Sequence, residues 1–462
     1  MVKAAVTALA LVLLAACTVG PRHRPPEVPL PASFDQASAE AAAQPAGSKL
    51  WAAFGSSELD ALIARALAAN TTIAQAAARL AETRALSGKS IYSWFPTITA
   101  NGSRETAMFS SQDPNAPPGS GEIESWRAGF DATWEIDLFG GLRSQNKAIK
   151  RRVEADAALL ADARLSIVAE TAQAWFALIG ARERLALQRR QLGNLEENVD
   201  ILRAQLEAGN STALDLARAQ AQARSRAASV PEAEADVVRQ QQRLAVLTGW
   251  PVATLRSKLA PETAIPPLPE LVASGTPEQW LKRRPDIRAA ERELAAATAD
   301  VGVEIADYFP KLELLGSFGW TSQSRDQIGK PAAERWSYGP LLSWSFLNIG
   351  RVRQNVKAAE ARADGAIARY QETVLRALEE TENALAGFRA ANQAEDELRA
   401  AAAAAVEAAR LSRMRYDVGA SDYLTLLDAE RTMLDLEDRH VQAASRRATA
   451  LAALYKALAG DL

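Results

Sequence analysis

The sequence predicts a mixed α/β membrane protein in which β-strands run directly into very long helices. Three observations carry this. The chain repeats itself at an offset of 210 residues, it holds four strand-like stretches with one apolar face, and each pair of strands leads into a proline-free helical stretch of unusual length. The net charge of −3, with 24% charged residues spread along the chain, gives no basic face for a nucleic-acid partner.

The N-terminus opens with Lys3 and an apolar run from Ala4 to Ala16, then Cys17, the only cysteine. This is the charged start and short apolar core of a signal peptide, too short for a membrane span. Leu14-Ala15-Ala16-Cys17 resembles a lipobox, so 1–16 is expected to be a lipoprotein signal and Cys17 the lipidation site. Residues 17–55 follow as a tether. Pro21, Pro25, Pro26, Pro29 and Pro31 favour an extended, polyproline-like path for it. No later stretch holds 18 consecutive apolar residues, so any membrane crossing must use strands.

Comparing the chain with itself gives the plan. At the 210-residue offset Trp134 meets Trp344, Gly140 meets Gly350, Arg143 meets Arg353, Glu170-Thr171 meets Glu380-Thr381, and Gly209, Ser211 and Leu214 meet Gly419, Ser421 and Leu424. Phe95-Pro96 matches Phe309-Pro310 at 214, because the loop 110–125 is four residues longer than 323–334. The chain is a tandem duplication. Repeat 1 occupies 56–250, a proline-rich linker 251–276, and repeat 2 residues 277–462. Each repeat reads helix, strand, loop, strand, very long helix, turn, return helix.

Strands are expected at 97–109, 126–139, 311–322 and 336–349. In the second, Trp126, Ala128, Phe130, Ala132, Trp134, Ile136 and Leu138 alternate with mostly polar residues. Arg104 breaks the apolar row of the first, and Pro340 implies a bulge or an unpaired position in the fourth. A soluble sheet is the ordinary source of such alternation, and a lipid-facing barrel is the other. The tryptophans of these strands resemble a membrane girdle. Strands of about 13 residues, rising ~3.3 Å each and tilted, span roughly the 30 Å of a bilayer core. Four strands cannot close, and open edges are not tolerated in lipid. About eight are needed, so several copies must share the barrel: two would supply eight strands and three would supply twelve.

Long helices are expected over 142–208 and 351–418, each spanning roughly 100 Å, with Gly180, Gly193 and Gly387 as possible breaks. Tip turns then fall at 209–212 and 419–421. Gly209 and Gly419 are suited to left-handed helix ends, Thr212 and Asp215 have capping-box spacing, and Ser421 reads as the matching cap.

Catalytic chemistry has no foothold in the pattern. His23 and His440 lie far apart, without metal-ligand spacing, and no phosphate-binding loop or nucleophile motif is present. The chain reads as a non-enzyme with no cofactor and no metal, a conduit powered from elsewhere.

The lipobox with its proline-rich tail, "RRPDIRAAE" at 283–291, the two strand-to-helix junctions and "GASDYLTLLDAE" at 419–430 together resemble the TolC/OprM outer-membrane efflux family, in its NodT-type lipoprotein branch. The resemblance covers essentially the whole mature chain. It implies a homotrimer with a 12-stranded outer-membrane barrel, four strands per chain, continuing into a periplasmic helical tunnel. It also implies two partners: a periplasmic adaptor protein and an inner-membrane pump, of the proton-driven resistance–nodulation–division class. By the same resemblance Leu424 and Asp428 form the channel constriction, and Tyr416 matches a tyrosine that holds the tip closed. A gate arginine of TolC is not matched, because Ser421 stands there. Gly209, Ser211, Thr212, Gly419, Ser421 and Asp422 become candidate adaptor contacts. The implied function is a passive exit duct for drugs or other small molecules. A protein-secretion duct of type I, or a lipid-anchored helical spacer between membranes, are the alternatives.

Overall fold

The computed structural model describes residues 19–35, 54–108, 110, 122–260, 264–269 and 276–458. Cys17, and most of the longer loop between the first two strands, lie outside the described residues. The elements are α1 (Ser57–Ala69), α2 (Thr71–Ile91), β1 (Thr97–Met108), β2 (Glu122–Ile136), α3 (Gly141–Glu207), α4 (Ala213–Thr248), α5 (Val252–Lys258), α6 (Pro277–Leu281), α7 (Pro285–Ala306), β3 (Lys311–Ser322), β4 (Glu334–Ser343), α8 (Ile349–Asp417) and α9 (Tyr423–Leu458). None of the described helices is long and apolar enough to cross a membrane. Two compact units result: 1–27 with 79–157 and 289–371, and 28–78 with 158–288 and 372–462. Both units draw on both repeats.

The first unit holds one antiparallel sheet in the order β1-β2-β3-β4. Among the described residues no core packs against its apolar face. Cross-strand rows such as Ala100–Phe130–Phe318–Trp336 lie on that face, and Phe130, Phe318 and Trp336 are 52%, 43% and 65% exposed. A soluble sheet would bury this face against a second layer. Leaving it bare is stable only where the solvent is itself apolar. Arg104, which interrupts the row, is accommodated by Glu124 at 2.6 Å and by the Trp126 ring 5.3 Å away.

Three strand expectations need correction. β2 begins at Glu122 and ends at Ile136 rather than 139, because the Asp137 carboxylate turns the chain. Its Oδ1 accepts from Gly140 N–H at 2.9 Å, and its Oδ2 accepts from Arg143 N–H at 2.9 Å and Arg143 Nε at 3.1 Å. Gly140, at φ +84°, supplies the left-handed step into α3. β4 spans Glu334–Ser343 rather than 336–349, and Phe346–Asn348 form a 3₁₀ turn instead. Pro340 makes no bulge: it pairs with Leu314 in unbroken register on the last strand of the sheet, where proline is tolerated. The junctions nevertheless repeat. Trp134 Nε1 donates to the Trp94 carbonyl at 2.9 Å, and Trp344 Nε1 donates to the Tyr308 carbonyl at 3.1 Å.

The second unit is helical and has a true core. Trp175 and Phe176 are fully buried, with Phe54 edge-on to Phe176 at 5.0 Å. Glu58 accepts from Trp175 Nε1 at 2.8 Å and from Ala260 N–H at 2.6 Å. The helices are not broken at Gly180, Gly193 or Gly387. At Gly180 the small residue serves packing, since a Cβ there would overlap the Ser445 side chain of α9. The described part of the tether has no helix or strand and is pinned. Val19 N–H donates to the Phe139 carbonyl at 3.1 Å, and Phe34 is buried among Leu385, Leu454 and Leu458.

Candidate channel tip

Two hairpin turns in the second unit, α3 to α4 and α8 to α9, hold most of the residues singled out by sequence. They are built alike. Gly209 at φ +73° and Gly419 at φ +69° end their helices in the left-handed conformation. Gly209 N–H donates to Leu206 at 3.0 Å and Asn210 N–H to Gln205 at 2.8 Å. Gly419 N–H donates to Tyr416 at 2.9 Å and Ala420 N–H to Arg415 at 2.8 Å. These paired bonds satisfy the last carbonyls of each long helix.

The caps of the return helices use one pair of residue types in opposite order. Thr212 caps α4, its Oγ1 accepting from Asp215 N–H at 3.2 Å. Asp422 caps α9, its Oδ1 accepting from Thr425 N–H at 3.0 Å and Thr425 Oγ1 at 2.5 Å. The expected cap at Ser421 is therefore corrected to Asp422, the counterpart of Thr212 one repeat later. Those bonds from Thr425 hold the Asp422 carboxyl below its ordinary range. Ser211 and Ser421 are half-buried, each with an enclosed hydroxyl that has no hydrogen-bond partner among the described residues.

Behind the turns lies a small core of Leu195, Val199, Leu202, Ala219, Ala223, Tyr423, Leu426, Leu427 and Leu434. Leu424 and Asp428, one turn apart on α9, face away from it; Leu424 is 48% exposed and Asp428 is exposed. Leu424 is not part of the tip core, and about half of its surface is open. Tyr416 lies edge-on to Tyr423 at 5.7 Å and donates to Gln205 Oε1 at 3.3 Å. Burial, and then the Glu430 charge, pushes the Tyr423 hydroxyl up to about 12.

A polar network here was missed at the sequence level. Arg413 bonds Glu430 at 2.5 Å and Asn198 Oδ1 at 2.8 Å, with Asn198 and Glu430 buried. Arg413 and Glu430 are equidistant from the 421–422 peptide, so folding the hairpin on paper pairs them.

The outer membrane efflux protein family matches in two segments, 62–250 and 276–460. This chain belongs to that family. The two matched segments correspond to the two repeats. Outer membrane protein OprJ of Pseudomonas aeruginosa is 32% identical over 98% of this chain and 95% of its own length. Nodulation protein T of Rhizobium leguminosarum is 29% identical over 91% of this chain and 85% of its own. The solved outer-membrane channel OprN superposes with a TM-score of 0.89 at 35% identity, covering 96% of this chain and 99% of that one. This efflux protein thus has the family's architecture: three chains contribute four strands each to a twelve-stranded outer-membrane barrel, which continues as a periplasmic helical tunnel. It is an outer-membrane efflux exit channel, and its family works with adaptor and inner-membrane pump components. Its relatives are channel proteins rather than enzymes.

Proposed function

We propose that the tip of this efflux protein is its gate, with Leu424 and Asp428 as the constriction and Tyr416 as a latch. The observation that carries the reading is the outward pair Leu424 and Asp428 on the face of α9 opposite the tip core. Three copies about an axis would give an apolar collar and, one turn away, a ring of carboxylates that attracts cations and repels anions. Gly209, Ser211, Thr212, Gly419, Ser421 and Asp422, on the two turns, are the adaptor contacts, and Cys17 is the acylated anchor.

The cargo is small molecules. Relatives named for pyoverdine export, toluene efflux and cation efflux align over 89% or more of this chain, which supports a duct that does not itself select. The partner pump is of the proton-driven resistance–nodulation–division class, which rests on the sequence resemblance.

Single-channel recording in planar bilayers tests the gate. The wild type should give a small, cation-selective conductance, and Asp428→Ala should raise conductance or abolish selectivity. A mutant with unchanged conductance and selectivity moves the constriction elsewhere.

A further inference from the structure

The start of α3 carries Arg143, Lys147, Lys150, Arg151 and Arg152, with no acidic residue in its first turn. The N-terminal end of a helix is the positive end of its dipole and favours acids in its first turn, so Arg143 there needs a partner. Arg143 is held by Asp137, Arg151 by Glu154 at 2.7 Å, and Arg152 by Asp300. Lys147 and Lys150 remain: both are exposed, and neither has an ion pair or hydrogen bond among the described residues. They line an open cavity of about 430 Å³ whose apolar wall is Ile91 and Trp94.

That wall immediately precedes β1. Trp94 is fixed beneath the lipid-facing sheet by the bond its carbonyl accepts from Trp134, and neighbouring Tyr92 and Phe95 are exposed. Lys147 and Lys150 lie about 9 and 14 Å along the axis from Gly141, and long helical side chains lean back toward the N-terminus. Their ammonium groups therefore rise toward the strands, into the layer of roughly 5–8 Å that headgroups occupy on each side of the hydrocarbon. The second junction repeats the theme. Arg353 and Lys357 stand where Arg143 and Lys147 do, exposed and unpaired among the described residues, with Glu360 in place of Lys150.

We propose that this cavity binds an anionic phospholipid of the periplasmic leaflet. Its phosphate sits between Lys147 and Lys150, and an acyl chain lies on Ile91 and Trp94. A free phosphate ion would leave the apolar wall unused, whereas a phospholipid uses both halves of the cavity.

The test is native mass spectrometry of the purified trimer, titrated with phosphatidylglycerol and separately with phosphatidylethanolamine. Wild type should retain phosphatidylglycerol preferentially. Lys147→Gln/Lys150→Gln should weaken that retention roughly tenfold or more, since each cation near an anionic surface contributes about fivefold. Lys147→Arg/Lys150→Arg should restore it, and Lys258→Gln, on the other unit, should leave it unchanged. Equal retention of the two lipids by wild type, or undiminished phosphatidylglycerol on the Gln pair, overturns the proposal. Displacement of phosphatidylglycerol by millimolar inorganic phosphate also overturns it, by making the site one for the free ion.

Discussion

Tyr416 donates its hydroxyl to Gln205 Oε1 at 3.3 Å, tying the last turn of α8 to the last turn of α3. Both helices end within a few residues of these positions, so the bond joins the two hairpin tips directly. Burial, with the Asp215 charge, pushes the Tyr416 hydroxyl above its ordinary value, so it stays a neutral donor at any growth pH.

Tyr416→Phe removes that bond and keeps the ring contact with Tyr423. One such half-buried hydrogen bond contributes about 1 kcal/mol, or roughly a fivefold shift between closed and open tips. Bilayer recordings should show a correspondingly higher open probability. An unchanged trace would mean that Arg413, Glu430 and Asn198 hold the tips without Tyr416.

In the sheet, Gly129 and Gly319 are directly paired, and their backbones approach so closely that a Cβ on Gly129 would lie 2.6 Å from the Phe318 carbonyl oxygen. A Cβ on Gly102 would have its nearest neighbour at 3.9 Å. Gly129→Ala should therefore lower the temperature at which the trimer dissociates in detergent, the overpacking costing about 1–3 kcal/mol per chain. Gly102→Ala should leave it within error. Equal behaviour of the two would show that the sheet opens at this pair without cost.

The Asp137 carboxylate accepts three bonds, from Gly140 N–H, Arg143 N–H and Arg143 Nε. Asp137→Ala leaves those donors at the base of the barrel without this partner. The expected loss is about 1–3 kcal/mol, read as reduced heat resistance of the trimer and earlier hydrogen exchange at 140–144. Leu347, the counterpart in repeat 2, turns the chain through a 3₁₀ segment, so Leu347→Ala should cost far less. If both variants melt alike, the Asp137 bonds are incidental to the junction.

The duplication, the strands and the long helices were legible because each is a periodicity that survives in one dimension. The strand ends were not, since Asp137 sets one through side-chain bonds that periodicity does not register. The glycines misled in an instructive way. Gly180 reads as a break yet serves contact with Ser445, because a helix tolerates one glycine when a neighbour fills the gap. At the tip, Ser421 looked like the cap because serine is a common one. Asp422 holds the position, as Thr212 does in repeat 1, and aligning the repeats one residue further along gives it. The Arg413–Glu430 bond joins residues on separate helices, and only folding the hairpin brings them together.

Asp162 of α3 lies near Arg284, Asp286, Glu380 and Lys456, and its carboxyl is pushed up, first by burial and then by the Asp286 charge. Glu380 goes the other way. Burial opposes ionisation there, but hydrogen bonds from Arg284 and Lys456, at 2.5 and 3.1 Å, hold its carboxyl below the ordinary 4.5. A lowered carboxyl stabilises the fold above its unfolded value, and that gain is lost as pH falls through the folded one. A raised carboxyl does the reverse: the fold carries a cost once pH exceeds the folded value and Asp162 is charged. Asp162→Asn should therefore raise the melting temperature at pH 7–8, by an amount on the order of a few °C. The gain should shrink toward zero as pH falls through the ordinary carboxylate range, because the raised Asp162 carboxyl takes up its proton ahead of an ordinary one. Glu380→Gln should show the opposite profile, losing stability at neutral pH and converging with wild type in acid. A gain from Asp162→Asn that persists undiminished at low pH would mean that packing, and not charge, sets the energetics at this position.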